Sequence, residues 1–309
     1  MKTNKMKTNE ELFTYTDKTE EDIVYENELK ENIKKDDEFV DEIIRPLKMS
    51  KEQFDDSLML FVDTQREFHN CKNCPGLKEC KNSCQGFMIH PEITQKLVTK
   101  TFKPCRLYEE NRNFMKKFLY KDYSDNFNEL LLKNMNNYRN GYRQQLKIAL
   151  KEMLDQNLKN WIYIYGPTKS SKSEYLMAFC NEFALKKKGN IAYLNVKDLM
   201  EYVKEIFYKD KDEFDEYFDE LSSVTLLVLD GFNKDVLINS VIRDQFLLPL
   251  INSRYKNNKI VMISSNLDLD GLNNLLAQNR YGADNAYEIT SKIFEKRYKK
   301  LYKLEHLIM

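Results

Sequence analysis

A chain of 309 residues is long enough for about two domains, each able to bury its own core. Lys plus Arg equals Asp plus Glu at 49 each, which excludes a globally basic coat for nucleic acid and confines any such contact to a local patch. Gly (8) and Pro (6) are scarce, so helices are expected to outweigh turn-rich β structure, and no run reaches the roughly 18 apolar residues of a membrane span.

The opening MKTNKMKTNEELF has no apolar stretch that could serve as a signal peptide, and a cytoplasmic protein is expected. Residues 1–20 are polar, mixed in charge and without periodicity, which predicts a disordered arm. From Glu21 to about His69 apolar residues recur at helical spacing, as in Phe39, Ile43, Ile44 and then Phe54, Leu58, Phe61, Val62, with Pro46 between the two helices. Five of the six cysteines then crowd between Cys71 and Cys105, a density that in a reducing compartment points to a metal rather than to disulfides. Cys180, on an apolar helix face, reads as core. The Asn-rich stretch ending at Gly141 marks a linker, so the predicted division is a helical domain over 21–118, a linker over 119–141 and a second domain over 142–309.

From Tyr142 the pattern alternates between helix and strand. A helix runs through Leu154, followed by the apolar run Trp161 to Tyr165, a helix from Lys172 to about Lys187, and a strand from Ile191 to Val196. A helix through Leu199 to Phe207 and an acidic helical stretch, KDKDEFDEYFDEL, lead to a strand at Thr225 to Leu229. A helix from Asp244 to Tyr255 and a strand at Ile260 to Ser264 complete the series. Such alternation of short apolar strands with helices builds a doubly wound α/β fold around a parallel sheet.

The run WIYIYGPTKSSKSEYLMAF reads as buried strand, tight turn, Lys-Ser and helix, the context in which a phosphate-binding loop acquires meaning. A triphosphate needs inward backbone N–H groups at a helix N-terminus, a lysine for the β and γ phosphates and a hydroxyl on Mg²⁺. The loop Gly166, Pro167, Thr168, Lys169, Ser170, Ser171, Lys172 and Ser173 offers these parts, with Ser171 where the motif has its second glycine. Asp230 closes the strand TLLVLD at its carboxyl end, where ligands of open α/β sheets sit, so Ser173 and Asp230 are the expected Mg²⁺ pair. Gly231 follows it, and Asn266 closes the last strand as a polar group suited to sensing the γ-phosphate.

The segment VIRDQFLLPLINSRYKNNKIVMISSNLDLDGLNNLL, from Val241 to Leu276, resembles the helicase-loader ATPases of the DnaI and DnaC group. The resemblance implies an AAA+ P-loop ATPase domain preceded by a helical, zinc-binding and helicase-contacting domain. It implies ATP, Mg²⁺ and Zn²⁺ as cofactors, and as partners the hexameric replicative DNA helicase, single-stranded DNA and other primosome proteins, with assembly of several copies on the helicase left open. Carried over with it are Arg243, Asn266 and Arg254, the last expected at the nucleotide or a neighbouring subunit. Gly231 stands where these proteins carry a second carboxylate, and Lys292 and Lys296 stand where arginines recur, which leaves Arg297 to serve as a finger. The same resemblance makes Cys71, Cys74 and Cys105 zinc ligands with His90 as the fourth, Cys84 being the alternative. The cysteine count alone exceeds what tetrahedral zinc needs.

Three functions follow from these residues. The first is a helicase loader in the initiation or restart of DNA replication. The second is an adaptor of the same ancestry that holds the helicase without hydrolysis, as Ser171 and Gly231 suggest, and the third is a transposition helper ATPase. The basic and aromatic runs RYKNNK and KRYKKLYK are candidates for DNA contact or solvated helix faces.

Overall fold

The computed structural model describes residues 19–135, 141–278 and 280–305. The arm expected over 1–20 lies outside the described residues up to residue 18, and so does the part of the expected linker over 136–140. The chain forms two compact units that divide after Arg112. Among the described residues, no helix is long and apolar enough to cross a membrane.

In the first unit, α1 (Glu20–Lys34) starts at a reciprocal cap in which Thr19 and Asp22 satisfy each other's backbone N–H. A helical segment over 37–47 follows, with a π-turn at Val40–Ile44, and then α2 (Lys51–Asp56) and α3 (Leu58–Lys72). Ile33, Phe39, Leu58, Phe61 and Phe68 form the core of these helices, the rings of Phe39 and Phe68 meeting edge-on at 5.5 Å. The unit is not purely helical, contrary to the expectation for 21–118. Strands β1 (Phe87–Thr94) and β2 (Leu97–Pro104) pair antiparallel through a two-residue turn in which Gln95 and Lys96 both have positive φ. Helix α4 (Arg106–Met115) carries the division between units.

The second unit begins at Asn113, ahead of the expected linker, and takes in the described part of it. Phe118–Lys121 forms β3, an edge strand parallel to β5 (Ile191–Asn195), so part of 119–141 belongs to the sheet rather than to a connection. Two side chains facing this segment explain its order: Asn181 donates to the carbonyls of Phe127 and Leu130, and Glu182 accepts from Leu132 N–H. With β4 (Ile162–Tyr165), β6 (Leu226–Phe232), β7 (Ile260–Ser265) and β8 (Tyr302–Lys303) the strands lie in the order β3-β5-β6-β7-β4-β8, all parallel.

Helices cover both faces of this sheet, as parallel strands require. Leu226 and Val228 point into the core under α5 (Gly141–Asp155) and α6 (Lys172–Lys186). Leu227 and Leu229 point into the opposite core, under α7 (Val196–Lys209), α8 (Lys211–Ser223), α9 (Leu248–Lys256), α10 (Leu269–Ala277) and α11 (Ala283–Lys296). Cys180 is fully buried in α6. All carboxyl ends of the strands therefore lie along one edge, and the loop from β4 to α6 crosses it.

Candidate functional site

The loop after β4 is shaped by three residues in the left-handed region. Gly166 has φ +146, and a Cβ there would stand 2.0 Å from the Leu304 carbonyl oxygen, because Leu304 N–H donates to Tyr165 O alongside β8. Lys169 (φ 63) and Ser171 (φ 64) hold the same hand without being glycine. A left-handed non-glycine residue costs roughly 1–2 kcal/mol and glycine's greater freedom in the unfolded chain returns roughly 0.5–1 kcal/mol. Ser171→Gly should therefore raise stability by up to ~1 kcal/mol. A urea midpoint that falls instead would mean that the serine hydroxyl has a bonding role in the turn.

Lys172 opens α6 and folds back into the loop. Its ammonium donates to Gly166 O at 2.9 Å, Pro167 O at 2.7 Å and Ser170 Oγ at 3.3 Å, all neutral oxygens, and the residue is only 7% exposed. Burial pulls its pKa below the usual lysine value, and the Asp230 carboxylate opposes that shift. A buried cation held by neutral groups at a helix N-terminus is an anion-binding arrangement in which the positive charge is already placed.

Asp230, at the end of β6, is the centre of a hydroxyl cluster. Ser173 donates to Oδ1 at 3.0 Å, Tyr193 donates to Oδ2 at 2.7 Å, and Ser264 also donates to Oδ1 while accepting from Gly231 N–H at 2.9 Å. Burial raises the Tyr193 phenol well above its ordinary value and Asp230 raises it further, so it stays a donor. Asn266, one residue beyond β7, donates to Thr168 Oγ1 of the loop at 3.3 Å. Lys172, Ser173, Asp230 and Asn266 thus converge on one edge, joined by two residues, Tyr193 and Ser264, that no motif marks.

Gly231 departs from a regular strand. Its φ is +98, and the pairing of β6 with β7 shifts register between Leu229 and Phe232. A side chain there would meet open space but on a backbone that L-residues rarely adopt. Gly231 itself brings no carboxylate beside Asp230 that could orient a water molecule.

The arginines are placed otherwise than expected. Arg254 is fully buried, and its guanidinium donates to Leu221 O (2.6 Å), Val224 O (3.0 Å) and Ile260 O (2.6 Å), at the amino ends of β6 and β7. It therefore stands at the edge of the sheet opposite Asp230 and meets neither the loop after β4 nor the outer surface. Arg243 grips Asp244 with two bonds (2.6 and 2.8 Å) and donates to the Leu276 and Ala277 carbonyls, where its charge caps the C-terminus of α10. Arg297 lies over the Phe294 ring, its guanidinium carbon 3.5 Å from the centroid. Lys292 pairs with Glu288 at 2.6 Å and Lys296 donates to Asn258 Oδ1 at 2.9 Å. In the basic runs, Lys259 donates to Ser223 O (2.9 Å) and Lys299 to Glu152 (2.5 Å), so these cations serve internal contacts.

In the first unit, Cys71, Cys74, Cys80 and Cys105 line one cavity of about 330 Å³ with Leu77 and Phe87. Burial pushes the Cys71 thiol up, and the neighbouring Cys74, Cys80 and Cys105 add to the shift. His90, the expected fourth ligand, lines a different cavity with Glu42, Pro46 and Glu92, and Cys84 is exposed and outside the cysteine cavity. The reason is the hairpin: β1 carries His90 away from the cysteines that flank the strands. Among the described residues, no three or more His, Cys, Asp or Glu side chains are arranged as a metal site. Glu67, 1% exposed on α3, anchors the loop between the cysteines by accepting from Ser83 N–H (2.9 Å), Ser83 Oγ (2.6 Å) and Ile89 N–H (2.7 Å).

No family model matches the chain, and no curated protein does. Among solved structures, DnaI is similar at 19% identity over 62% of this chain and 97% of that one, with a TM-score of 0.52. The DnaC helicase loader is similar at 19% identity over 59% and 99%, with a TM-score of 0.46. Domain III of the replication initiation protein DnaA from Thermotoga maritima is similar at 14% over 60% and 69%, with a TM-score of 0.47. The chain therefore shares with the DnaI structure its fold, a parallel sheet flanked by helices.

Proposed function

We propose that the second unit binds ATP with Mg²⁺, and that the chain is a helicase loader of DNA replication whose grip on a hexameric replicative helicase responds to that nucleotide. The observation that supports this reading most is the convergence of Lys172, Ser173, Asp230 and Asn266 on the carboxyl edge of the sheet. The exposed crest at Thr168 and Lys169 leaves the loop open to a phosphate chain, which would take the Lys172 ammonium away from the loop carbonyls. Ser173 and Asp230 would hold the Mg²⁺, whose charge offsets that of the β and γ phosphates. Asn266 would register the γ-phosphate through its contact with Thr168. Delivery onto single-stranded DNA and contact with other primosome proteins belong to the same proposal.

Gly231 favours a second reading in which the nucleotide is held but turned over slowly or not at all, leaving an adaptor that binds helicase. In either reading Cys71, Cys74, Cys80 and Cys105 are the proposed structural zinc ligands, because they line one cavity and His90 lines another, and zinc would have to draw the thiols together from the arrangement described above. Calorimetric titration with ATP and Mg²⁺ tests the shared premise. The unaltered chain should bind, and Lys172→Ala should bind at least ~100-fold more weakly, because the one buried cation of the loop is gone. Equal affinity in the two proteins would remove the phosphate site from Lys172, and stimulated turnover on adding helicase would decide for the hydrolysing loader.

A further inference from the structure

We infer that Tyr193 is the positioning residue of the Mg²⁺ site, its buried hydroxyl holding Asp230 so that the carboxylate edge shared with Ser173 faces the ion. The inference rests on the nucleotide-binding reading and adds to it a residue that no phosphate-loop motif contains. Tyr193 lies on β5 and pairs in register with Val228, two residues before Asp230 on the neighbouring strand. Both side chains point to the face covered by α6, which is why the phenol reaches Oδ2 at 2.7 Å.

A carboxylate at a strand end turns easily about its terminal torsion, because sp³–sp² wells are broad. Here Oδ1 is shared by Ser173 and Ser264, and among the described residues Tyr193 is the donor to Oδ2. The ring itself cannot follow a turning carboxylate. It is packed edge-on against Tyr123 with centroids 4.8 Å apart, and Tyr123 in turn donates to Asn181 Oδ1 of α6 at 2.6 Å. A Ser173 hydroxyl that coordinates the ion must still donate its proton to Asp230. That geometry exists only while Oδ1 faces the helix, and the Tyr193 bond holds the opposite oxygen so that the carboxylate cannot turn about its Ser264 contact. The alternative is a buried tyrosine that has merely found an acceptor, as most do.

The two are separated by titrating the full chain and Tyr193→Phe with the fluorescent analogue mant-ATP, once in Mg²⁺ and once in EDTA. Loss of an outer partner of a metal ligand typically costs 10–100-fold in metal affinity. Tyr193→Phe should therefore weaken binding in Mg²⁺ by roughly tenfold or more and leave binding in EDTA unchanged. A parallel fall in both conditions, or no fall in Mg²⁺, overturns the assignment to Tyr193 while leaving the nucleotide site standing. If the unaltered chain binds in neither condition, the nucleotide reading itself falls and takes this inference with it. Should Tyr193→Phe melt below the assay temperature, fluorotyrosine at 193 replaces it, keeping ring and hydroxyl while changing acidity. The Mg²⁺-dependent affinity alone should then shift, and an unshifted value overturns the assignment.

Discussion

Arg254→Ala should lower the stability of the second unit by ~3–5 kcal/mol while leaving the nucleotide affinity of the folded protein unchanged. The guanidinium is fully buried, and its three shortest bonds go to the carbonyls of Leu221, Val224 and Ile260. Truncation leaves those oxygens without donors in a region closed to water, at roughly 1–3 kcal/mol each before relaxation, and opens a cavity besides. Lysine cannot span the same oxygens, since it offers a point charge where arginine offers a planar fork, so Arg254→Lys should fall between the two. Asp230 lies four strand residues beyond Leu226, the partner of Ile260, and so roughly 13 Å away along the sheet, which is why the phosphate site should not register the change. Urea unfolding followed by far-UV circular dichroism measures the first effect and calorimetry the second. A stable Arg254→Ala protein with impaired nucleotide binding would return this arginine to the nucleotide, as the sequence resemblance implies.

In the first unit, Glu67→Ala should cost at least ~3 kcal/mol and should also lower occupancy of the proposed zinc site. Its carboxylate receives two backbone N–H groups and one hydroxyl, all from the loop and strand that follow the first three cavity cysteines. Removing it strands those donors and frees Ser83, which sits between Cys80 and Cys84, so the spacing of the thiols loses its anchor. Glu67→Gln distinguishes charge from shape. One amide oxygen can keep both Ser83 bonds, but the amide NH₂ then confronts the Ile89 N–H, and the loss should be about 1–2 kcal/mol. Metal analysis of purified protein gives the second readout. Full zinc content in Glu67→Ala would mean that the thiols do not depend on this loop, or that other ligands hold the ion.

The central strands were legible because each is a short apolar run buried on both faces, as in IYIY, IAYLN and TLLVLD. Edge strands β3 and β8 were not, since FLYK and YK carry no more pattern than a loop until the neighbouring strand exists. The hairpin was hidden because its turn is Gln95-Lys96, without the Asn-Gly or Asp-Gly chemistry that marks a positive φ. Within the site, the sequence supplied the residues that follow one another along the chain: Gly166 to Ser173, then Asp230 and Asn266. It withheld Tyr193 and Ser264, whose relation to Asp230 exists only across strands. Arg254 marks the limit of resemblance, which transfers a position along a helix but not the direction in which the side chain points. The resemblance points to His90, with Cys84 as the alternative, for the fourth zinc ligand, and only the folded loop brings Cys80 to the cavity of Cys71, Cys74 and Cys105.

The close approach of Leu304 to Gly166 gives the phosphate loop a second master. With backbone resting on backbone and no side chain as a cushion, a sideways pull on the last strand is felt at the first residue of the loop. Helix α5 enters the same linkage, since Arg143 donates to Glu305 O at 2.8 Å. A pull on β8 would therefore reshape the loop that the proposed nucleotide occupies without any contact to that nucleotide.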